Sequence, residues 1–218
     1  MKPVVAVFAH PDDEAFGPSG TLALLAKERD VYIICVTDGA AGMNSSQKTQ
    51  ELSAIRREEL LASAKVLGIK EVFFLNYKDG ELASNIYHKV AADIQELLER
   101  LDPEIVVTYE LHGVSGHLDH IAVAFITTFV FEKLSAIQEL WYYCVTAKRR
   151  EAFKEYFIYF PPGYNKEQID KVFDVTEVWG QKLQAMNKHE SQMHDVERIL
   201  AGYKELPKEE NFIIRKRV

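Results

Sequence analysis

The sequence predicts an α/β fold, a Rossmann-like three-layer sandwich with a mostly parallel central sheet flanked by helices. Short runs that are apolar throughout, as in strands buried on both faces, alternate along the chain with longer runs of helical spacing. Histidines and carboxylates follow two of the apolar runs, and ligands of open α/β sheets bind beyond the carboxyl ends of the strands. Both observations favour a doubly covered parallel sheet.

The apolar runs predict six strands, and the amphipathic runs predict five helices. The predicted strands are residues 4–9, 31–37, 72–76, 105–109, 140–145 and 156–160. The predicted helices are residues 21–29, 50–67, 85–101, 120–134 and 178–201. Gly68 suits a helix C-cap, and Asp102-Pro103 ends the third helix because proline cannot continue the helical hydrogen bonds. The 218 residues suit one domain spanning 1–218, since no repeat or linker interrupts them.

The composition is that of a soluble globular protein, with 47% hydrophobic and 27% charged residues. The formal net charge of -7 repels phosphate backbones, so nucleic acid is not an expected partner. The longest apolar stretch, residues 121–131, is shorter than the roughly 20 residues that span a bilayer, and no secretory leader is visible. Cys35 and Cys144 suit buried thiols in a reducing compartment. We therefore expect a cytoplasmic protein with no stable membrane insertion.

Two clusters of metal-binding residue types follow predicted strands. His10-Pro11-Asp12-Asp13-Glu14 comes directly after the first strand, and His117-Leu118-Asp119-His120 lies after the fourth. In each cluster two candidate ligands lie three residues apart, so one helical turn would bring them to the same face. Zinc in catalytic sites has three protein ligands and an open position. The clusters therefore predict a divalent-metal site with a spare aspartate that can take a proton from water.

Each cluster also has a simpler interpretation. His-x-x-Asp occurs in solvated turns, and the carboxylates of residues 12–14 would suit a helix N-terminus through the macrodipole. Two such clusters, each at the carboxyl end of a strand, favour the metal site over these alternatives.

Several strings along the chain form a recognisable set. They are Ala9-His10-Pro11-Asp12-Asp13-Glu14, Arg56-Arg57-Glu58-Glu59-Leu60, Asp79-Gly80-Glu81-Leu82, His117-x-Asp119-His120, Asp174-Val175-Thr176 and His189-Glu190-Ser191-Gln192. This set resembles the LmbE-like (PIG-L) family of zinc-dependent N-acetylglucosaminyl de-N-acetylases, which includes the deacetylases of the mycothiol and bacillithiol pathways. Leu118 departs from the proline that many members carry between the two functional residues.

The resemblance implies a role for each residue of the two clusters. His10, Asp13 and His120 would be the zinc ligands, although Fe2+, Co2+ or Mn2+ also suit two histidines and a carboxylate. Asp12 would be the general base for a metal-activated water that attacks the amide carbonyl. A protonated His117 would stabilise the oxyanion and then protonate the leaving amine, and Asp119 would orient it.

Three further features have weaker interpretations. Arg56 is similar in position to the family's substrate-binding arginine, and a surface helix charge is the alternative. His112 and His189 have no assigned chemical step. Residues 160–164 predict a surface turn, with a lid over the site as the alternative. No glycine fingerprint follows the first strand, so a nicotinamide enzyme is disfavoured.

The resemblance predicts a hydrolase of linear amide C–N bonds that removes the acetyl group from an N-acetylglucosamine-type substrate. The expected partner is a small N-acetylated amino-sugar conjugate whose aglycone the sequence does not specify. The alternatives are a hydrolase of another small amide and a metal- or sugar-binding protein without turnover. Asp12 argues against the last, because a structural zinc site is closed by four ligands. Homo-oligomers are common in the family, so association of identical copies is also expected.

Overall fold

A seven-stranded sheet forms the centre of the molecule. The computed structural model describes residues 1–42, 49–151, 159–203 and 206–217. The strands are β1 Val4–Phe8, β2 Val31–Thr37, β3 Glu71–Tyr77, β4 Ile105–Tyr109, β5 Glu139–Cys144, β6 Lys171–Asp174 and β7 Glu209–Lys216. Their spatial order is β3-β2-β1-β4-β5-β7-β6. Strands β1 to β5 pair in parallel, and β7 pairs antiparallel with β5 and β6, so the predicted mostly parallel sheet is confirmed.

The strand order reverses at β1, and right-handed crossovers therefore place helices on both faces of the sheet. The helices are α1 Asp13–Phe16, α2 Ser19–Ala26, α3 Thr49–Leu67, α4 Tyr87–Leu101, α5 Gly113–Gly116, α6 Leu118–Lys133, α7 Ala147–Glu151, α8 Trp179–Met186 and α9 Met193–Tyr203. Helices α2, α3 and α8 contact one another, and α4 packs on α6. No helix in the described residues is both long and apolar enough to cross a membrane.

Strand β1 shows why the sheet is covered on both faces. All five of its residues are buried, so neither face meets water. Helix α4 contributes a buried stripe of Val90, Ala91, Ile94 and Leu98, at the spacing of one helix face. Burial of such continuous apolar surface is the main term that stabilises the fold.

The C-terminal third differs from the sequence prediction. The single helix predicted at 178–201 is wrong, because the chain leaves helical geometry around His189 and forms α8 and α9 instead. Strands β6 and β7 were not predicted, since β6 has only two apolar residues between two charged ones and β7 ends in charged residues. Lys216 pairs with Glu139 in the sheet, so the basic residues Arg215 and Lys216 belong to β7. Most of the strand predicted at 156–160 lies outside the described residues.

A buried ion pair joins β7 to α8, and its carboxylate also bonds to the N-terminus of α2. Lys182 Nζ lies 2.8 Å from Glu210 Oε1, and both side chains are almost fully buried. Glu210 also accepts hydrogen bonds from the backbone N–H groups of Gly20 and Thr21, at 3.0 and 2.6 Å. The first turn of α2, which lacks intrahelical acceptors for these groups, is thereby fixed to the sheet.

Candidate active site

A cavity of about 440 Å³ lies at the carboxyl ends of the parallel strands. Both predicted clusters line it, together with residues that follow β2, β3 and β5. The residues from the clusters are His10, Asp12, Asp13, His117 and His120, and the others include Ala41, Gly42, Asp79, Tyr143, Arg149 and Phe160. The sheet order explains this convergence, because β1 sits beside β2 and β4, and the loops after these strands meet at one edge.

Donor atoms of the three predicted ligands lie within 3.5 Å of one another. His10 Nδ1 is 3.1 Å from His120 Nε2, and His120 Nε2 is 3.2 Å from Asp13 Oδ1. His10 Nδ1 lies 3.5 Å from Asp13 Oδ2. Ligands about 2.0–2.1 Å from a tetrahedral zinc ion stand roughly 3.4 Å apart, so these three side chains fit such an ion. His117 belongs to the same group, with a ring nitrogen within 4.8 Å of those of His10 and His120.

Neighbouring groups hold Asp13 and His120 in place. The Tyr109 hydroxyl donates a hydrogen bond to Asp13 Oδ2, and the His10 backbone N–H donates to the same oxygen at 2.7 Å. The Tyr109 ring stacks on His120, with ring centroids 4.3 Å apart and planes 4° from parallel. Burial alone would raise the pKa of Asp13, but His120 and His10 hold it well below its ordinary value. The carboxylate is therefore ionised, as a metal ligand must be.

The other ring nitrogen of His10 faces two carboxylates. His10 Nε2 lies 3.1 Å from Asp79 Oδ1 and 3.4 Å from Asp119 Oδ2. A proton on Nε2 that is shared with these carboxylates leaves Nδ1 free for a metal, which is the usual arrangement of metal-binding histidines. Burial lowers the pKa of His10, but the aspartates outweigh it and raise that pKa well above 6.5. The same negative surroundings favour a divalent cation.

Asp79 is a site residue that sequence analysis did not assign. Its string, Asp79-Gly80-Glu81-Leu82, served only to support the resemblance. The available signal was its position just after β3, at the sheet edge that also carries Asp13. Besides facing His10, Asp79 accepts a hydrogen bond from the Ala41 backbone N–H at 3.0 Å, which ties the loop after β2 to the site.

We call the three predicted ligands, His10, Asp13 and His120, the donor group. Asp12 lies beside it in an unusual backbone conformation. Its φ of 131° and ψ of -23° fall in a region that residues with a side chain rarely adopt, and such strain is common at functional sites. Asp12 Oδ2 accepts a hydrogen bond from Arg56 Nη2 at 2.8 Å. Burial raises the pKa of Asp12 to about 7, although Arg56 opposes the rise. A carboxylate with this pKa is suited to exchange protons near neutral pH.

A buried pair supports the strained backbone of Asp12. Glu14 Oε2 accepts a hydrogen bond from the Asp12 backbone N–H at 3.1 Å. Glu14 Oε1 lies 2.7 Å from His189 Nε2 and accepts a bond from Ser63 Oγ at 2.6 Å. Burial opposes protonation of His189, but Glu14 raises its pKa above the ordinary value, so the pair is ionic. This contact also explains why the chain breaks between α8 and α9, since His189 must reach inward.

His117 caps the N-terminus of α6 with its side chain. Its Nδ1 accepts a hydrogen bond at 3.1 Å from the backbone N–H of Asp119. Burial and the nearby His10 and His120 lower the pKa of His117 to about 4. The expectation of a protonated His117 conflicts with both observations, because Nδ1 already acts as an acceptor. In the neutral ring the proton is on Nε2.

The Asp119 side chain bonds to groups outside α6, although its backbone belongs to the first turn of that helix. It accepts hydrogen bonds from the backbone N–H groups of Gly80 at 2.8 Å and Leu82 at 3.3 Å, in addition to its contact with His10. Asp119 therefore links the loop after β3 to two histidines. Its side chain contacts His10, and its backbone N–H bonds to His117. The role of Asp119 in orienting His117 stays a prediction.

Arg56 is buried, and the alternative of a surface charge is wrong. Nη1 donates to the Gly39 carbonyl at 2.6 Å, and Nη2 donates to the Pro11 carbonyl at 2.7 Å as well as to Asp12. Gly39 has a φ of +65°, and a Cβ there would lie 2.9 Å from the Arg56 guanidinium carbon, so only glycine fits. Arg56 lines the cavity, but its predicted contact with substrate stays a prediction.

Comparisons with known proteins agree with these motifs. The sequence profile of the GlcNAc-PI de-N-acetylase (PIG-L) family matches residues 5–131. The probable N-acetyl-α-D-glucosaminyl L-malate deacetylase 2 of Bacillus cereus is 30% identical over 196 residues, covering 87% of this chain and 83% of that protein.

Two solved structures share the fold. The 4-carboxy-2-hydroxymuconate hydratase of Pseudomonas putida superposes with a TM-score of 0.76 and 18% identity, covering 100% of this chain and 98% of that one. The N,N′-diacetylchitobiose deacetylase of Pyrococcus horikoshii gives a TM-score of 0.72 and 24% identity, covering 99% and 84%. Because one neighbour is a hydratase, the fold alone does not specify the reaction. The profile match includes all three predicted metal ligands, and the predicted resemblance is confirmed: the chain belongs to the GlcNAc-PI de-N-acetylase (PIG-L) family.

Proposed function

We propose that this protein is a metal-dependent hydrolase that removes the acetyl group from an N-acetylglucosamine-type substrate. One observation carries the proposal: a buried carboxylate, Asp12, lies beside three convergent donor atoms without being one of them. A site that only binds metal has no use for such a group, whereas hydrolysis needs a base near the attacking water. The deacetylase relative of Bacillus cereus supports the substrate class.

His10, Asp13 and His120 would hold the metal. Zinc suits this set of two imidazoles and one carboxylate, and iron, cobalt and manganese are alternatives with similar ligand preferences. When bound, a divalent ion would polarise the amide carbonyl and lower the pKa of a coordinated water. Its charge would also lower the pKa of Asp12 and His117 below the values that the protein alone sets.

Asp12 carries the proton through the reaction. Its carboxylate takes a proton from the attacking water as the oxygen bonds to the amide carbon. When the C–N bond breaks, Asp12 returns that proton to the amine nitrogen, which leaves acetic acid and a free amine; the acid then loses its proton to solvent. Arg56 keeps Oδ2 of Asp12 fixed at 2.8 Å during both transfers. Its positive charge favours the ionised form that accepts the proton.

His117 stabilises the negative charge that builds on the carbonyl oxygen. Because Nδ1 accepts the bond from Asp119 and His117 lines the cavity, the neutral ring would offer its Nε2–H to this oxygen. A single preorganised donor of this kind contributes about 3 kcal/mol to the transition state. In this scheme His117 acts as a neutral donor, and Asp12 rather than His117 protonates the leaving amine.

The test is acetate release from N-acetylglucosamine and its α-linked conjugates. Protein stripped with chelator is compared with the same protein reloaded with zinc, iron, cobalt or manganese, and bound metal is measured in each sample. We expect no release from stripped protein and recovery with at least one metal. Release that is unchanged after complete stripping would contradict metal dependence. Full metal loading with no release from any conjugate would contradict the deacetylase function.

A further inference from the structure

A strained valine lies in the wall of the cavity that holds the donor group. Val114 lines this cavity, and its φ of 63° and ψ of -54° fall outside the regions that residues with a branched Cβ adopt. Such an outlier persists only where the surrounding contacts impose it, and these outliers concentrate at functional sites. Val114 takes no part in the proposed reaction. The hydrogen bonds of its backbone indicate instead why the strain is kept.

Glu110 supplies the contact that holds Val114 in this conformation. It follows β4 directly, and its side chain is buried. Glu110 Oε1 accepts a hydrogen bond from the Val114 backbone N–H at 2.7 Å. Glu110 Oε2 accepts bonds from the His112 backbone N–H at 2.8 Å and from the Tyr164 hydroxyl at 2.7 Å. Because a carboxylate accepts at both oxygens at once, this one side chain closes the loop over residues 110–114.

The peptide group between Gly113 and Val114 is shared by two hydrogen bonds. Its N–H donates to Glu110 Oε1, and its carbonyl oxygen lies 3.1 Å from His120 Nδ1. A carbonyl oxygen can only accept, so Nδ1 carries a proton in this contact. Because a peptide group is planar, fixing its N–H also fixes the direction of its carbonyl. Glu110 therefore reaches His120 through one rigid group.

The contact with the carbonyl determines which nitrogen of His120 faces the donor group. With the proton on Nδ1, Nε2 of the neutral ring is the free nitrogen, and it lies 3.2 Å from Asp13 Oδ1 and 3.1 Å from His10 Nδ1. The Ser115 hydroxyl, 3.4 Å from Nδ1, can accept as well. Gly113 has a φ of +70°, and a Cβ there would lie 2.7 Å from His120 Cβ, so only glycine allows this close approach.

We propose that Glu110 is a positioning residue for the metal site, which fixes the ring of His120 through the peptide group of Gly113 and Val114. This inference rests on the metal site of the proposed function. Metal-binding histidines usually donate their outer N–H to a carboxylate or a carbonyl, which fixes the ring and makes the other nitrogen a better ligand. Here the carboxylate is one peptide group further away, and its charge polarises the carbonyl that accepts from His120.

The experiment compares zinc affinity, measured by competition with a chromophoric chelator, and the visible spectrum of cobalt-loaded protein, which reports ligand geometry. Glu110→Met keeps the length of the side chain and removes both acceptors. We expect its zinc affinity to fall about tenfold to a hundredfold and its cobalt spectrum to change. Tyr164→Phe is the matched control, because it removes one bond to the same carboxylate and leaves the bond to Val114. Its affinity and spectrum should equal those of wild type.

Two further variants separate the position of His120 from the charge of Glu110. Glycine adopts the conformation of Val114 without strain, so Val114→Gly added to Glu110→Met should recover most of the zinc affinity although the carboxylate is absent. Glu110→Gln is uncharged but keeps one acceptor oxygen, and it should retain part of the affinity. A last measurement uses wild-type protein alone: nitrogen NMR of the zinc-loaded protein should show a proton on Nδ1 of His120.

Several results would overturn the inference. Zinc affinity in Glu110→Met equal to that of wild type would do so, as would an equal loss of affinity in Tyr164→Phe. If Val114→Gly restored nothing, the lost charge rather than the position of His120 would explain the weaker binding. A proton on Nε2 of His120 in wild-type protein would exclude the contact with the carbonyl, and this result does not depend on any variant folding.

The failure of the proposed function is distinguishable from these results, because zinc binding is measured without substrate. Absence of acetate release from metal-loaded wild-type protein would reject the deacetylase and leave the role of Glu110 standing. Absence of zinc binding by wild-type protein would reject the metal site and the role of Glu110 together.

Discussion

The two polar regions of the cavity differ in how their charges are balanced. In the donor group, His10 faces three aspartates, and Arg56 bonds Asp12 and two backbone carbonyls, so each charged side chain has an opposite charge within hydrogen-bond distance. Elsewhere on the cavity wall, Arg149 interacts with the neutral Tyr203 and Tyr143, and it has no ion pair with a carboxylate in the described ranges. The first region therefore pairs its charges around a possible cation site, whereas Arg149 is a buried charge among tyrosines.

This difference separates two tasks. A paired network fixes its members in one geometry, which suits a reaction that moves a proton over a short distance. A buried charge without a charged partner carries a desolvation cost that other interactions of the fold must offset. Removal of Arg56 should therefore destabilise the protein, whereas removal of Arg149 should not.

The largest expected effect is the fall in kcat when Asp12 can no longer carry the proton. Asp12→Asn should lower kcat about a thousandfold, since general base catalysis contributes about a hundredfold to ten-thousandfold. The amide cannot accept a proton but keeps the size of the carboxylate, so bound metal should stay at the wild-type level. Kinetics with metal analysis checks this, and Asp30→Asn at the surface is the control. Loss of metal from Asp12→Asn would show that Asp12 is itself a ligand.

The second prediction compares the two buried arginines directly. Arg56→Met should destabilise the protein by about 3 kcal/mol, because it leaves Asp12 buried without its partner. Arg149→Met should be neutral or stabilising, because it replaces an unbalanced buried charge with an apolar chain of similar volume. Denaturant unfolding of both variants gives the free energies. An equal loss of stability in the two variants would remove the distinction between the regions.

A smaller effect on kcat is expected when the Glu14–His189 pair, which supports the Asp12 backbone, is broken. His189→Ala should lower kcat about tenfold to a hundredfold with KM and metal content unchanged, because Glu14 loses its cation and holds the Asp12 backbone less firmly. His189→Gln keeps a donor for Glu14 and should recover part of the rate. His88→Ala, at an exposed position, is the control. A proportional rise in KM would instead indicate a damaged substrate pocket.

The smallest effect is a shift in the pH profile. Asp12 must be ionised to accept a proton, so kcat/KM should rise with pH through an apparent pKa at or below about 7, the bound cation setting how far below. Arg56 lowers the pKa of Asp12, so Arg56→Met should move this rise to higher pH. Profiles between pH 5 and 9 give the midpoints. A shift to lower pH in the variant would show that another group controls the rise.

The sequence predicted those parts of the fold that depend on local pattern. Continuous apolar runs and helical spacing located β1 to β5 and the helices α2, α3, α4 and α6 to within a few residues, but not the short helices α1 and α5. The C-terminal part was predicted poorly because tertiary contacts decide it. The buried bond from His189 to Glu14 interrupts an otherwise helical stretch, and β7 becomes a strand only because β5 offers an edge.

The residues of the candidate site also divide into those that a local pattern predicts and those that only tertiary contacts bring together. The residues in short motifs could be named from the sequence, since histidine and aspartate at fixed spacing indicate metal chemistry. Asp79 and Arg149 could not, because their roles depend on which strand ends and helices meet at the cavity. The tautomer of His117 likewise follows from a backbone N–H that no residue pattern reveals.

The position of β7 in the sheet has a consequence for synthesis. Strand β5, with the sequence ELWYYC, is complete at Cys144, but its partner β7 ends at Lys216, 72 residues later (216 - 144). At about 5–20 residues per second, a ribosome needs roughly 4–14 s to make that segment. During this time an aromatic strand edge is open to pairing with another chain. A chaperone that protects nascent chains would be most useful in this interval.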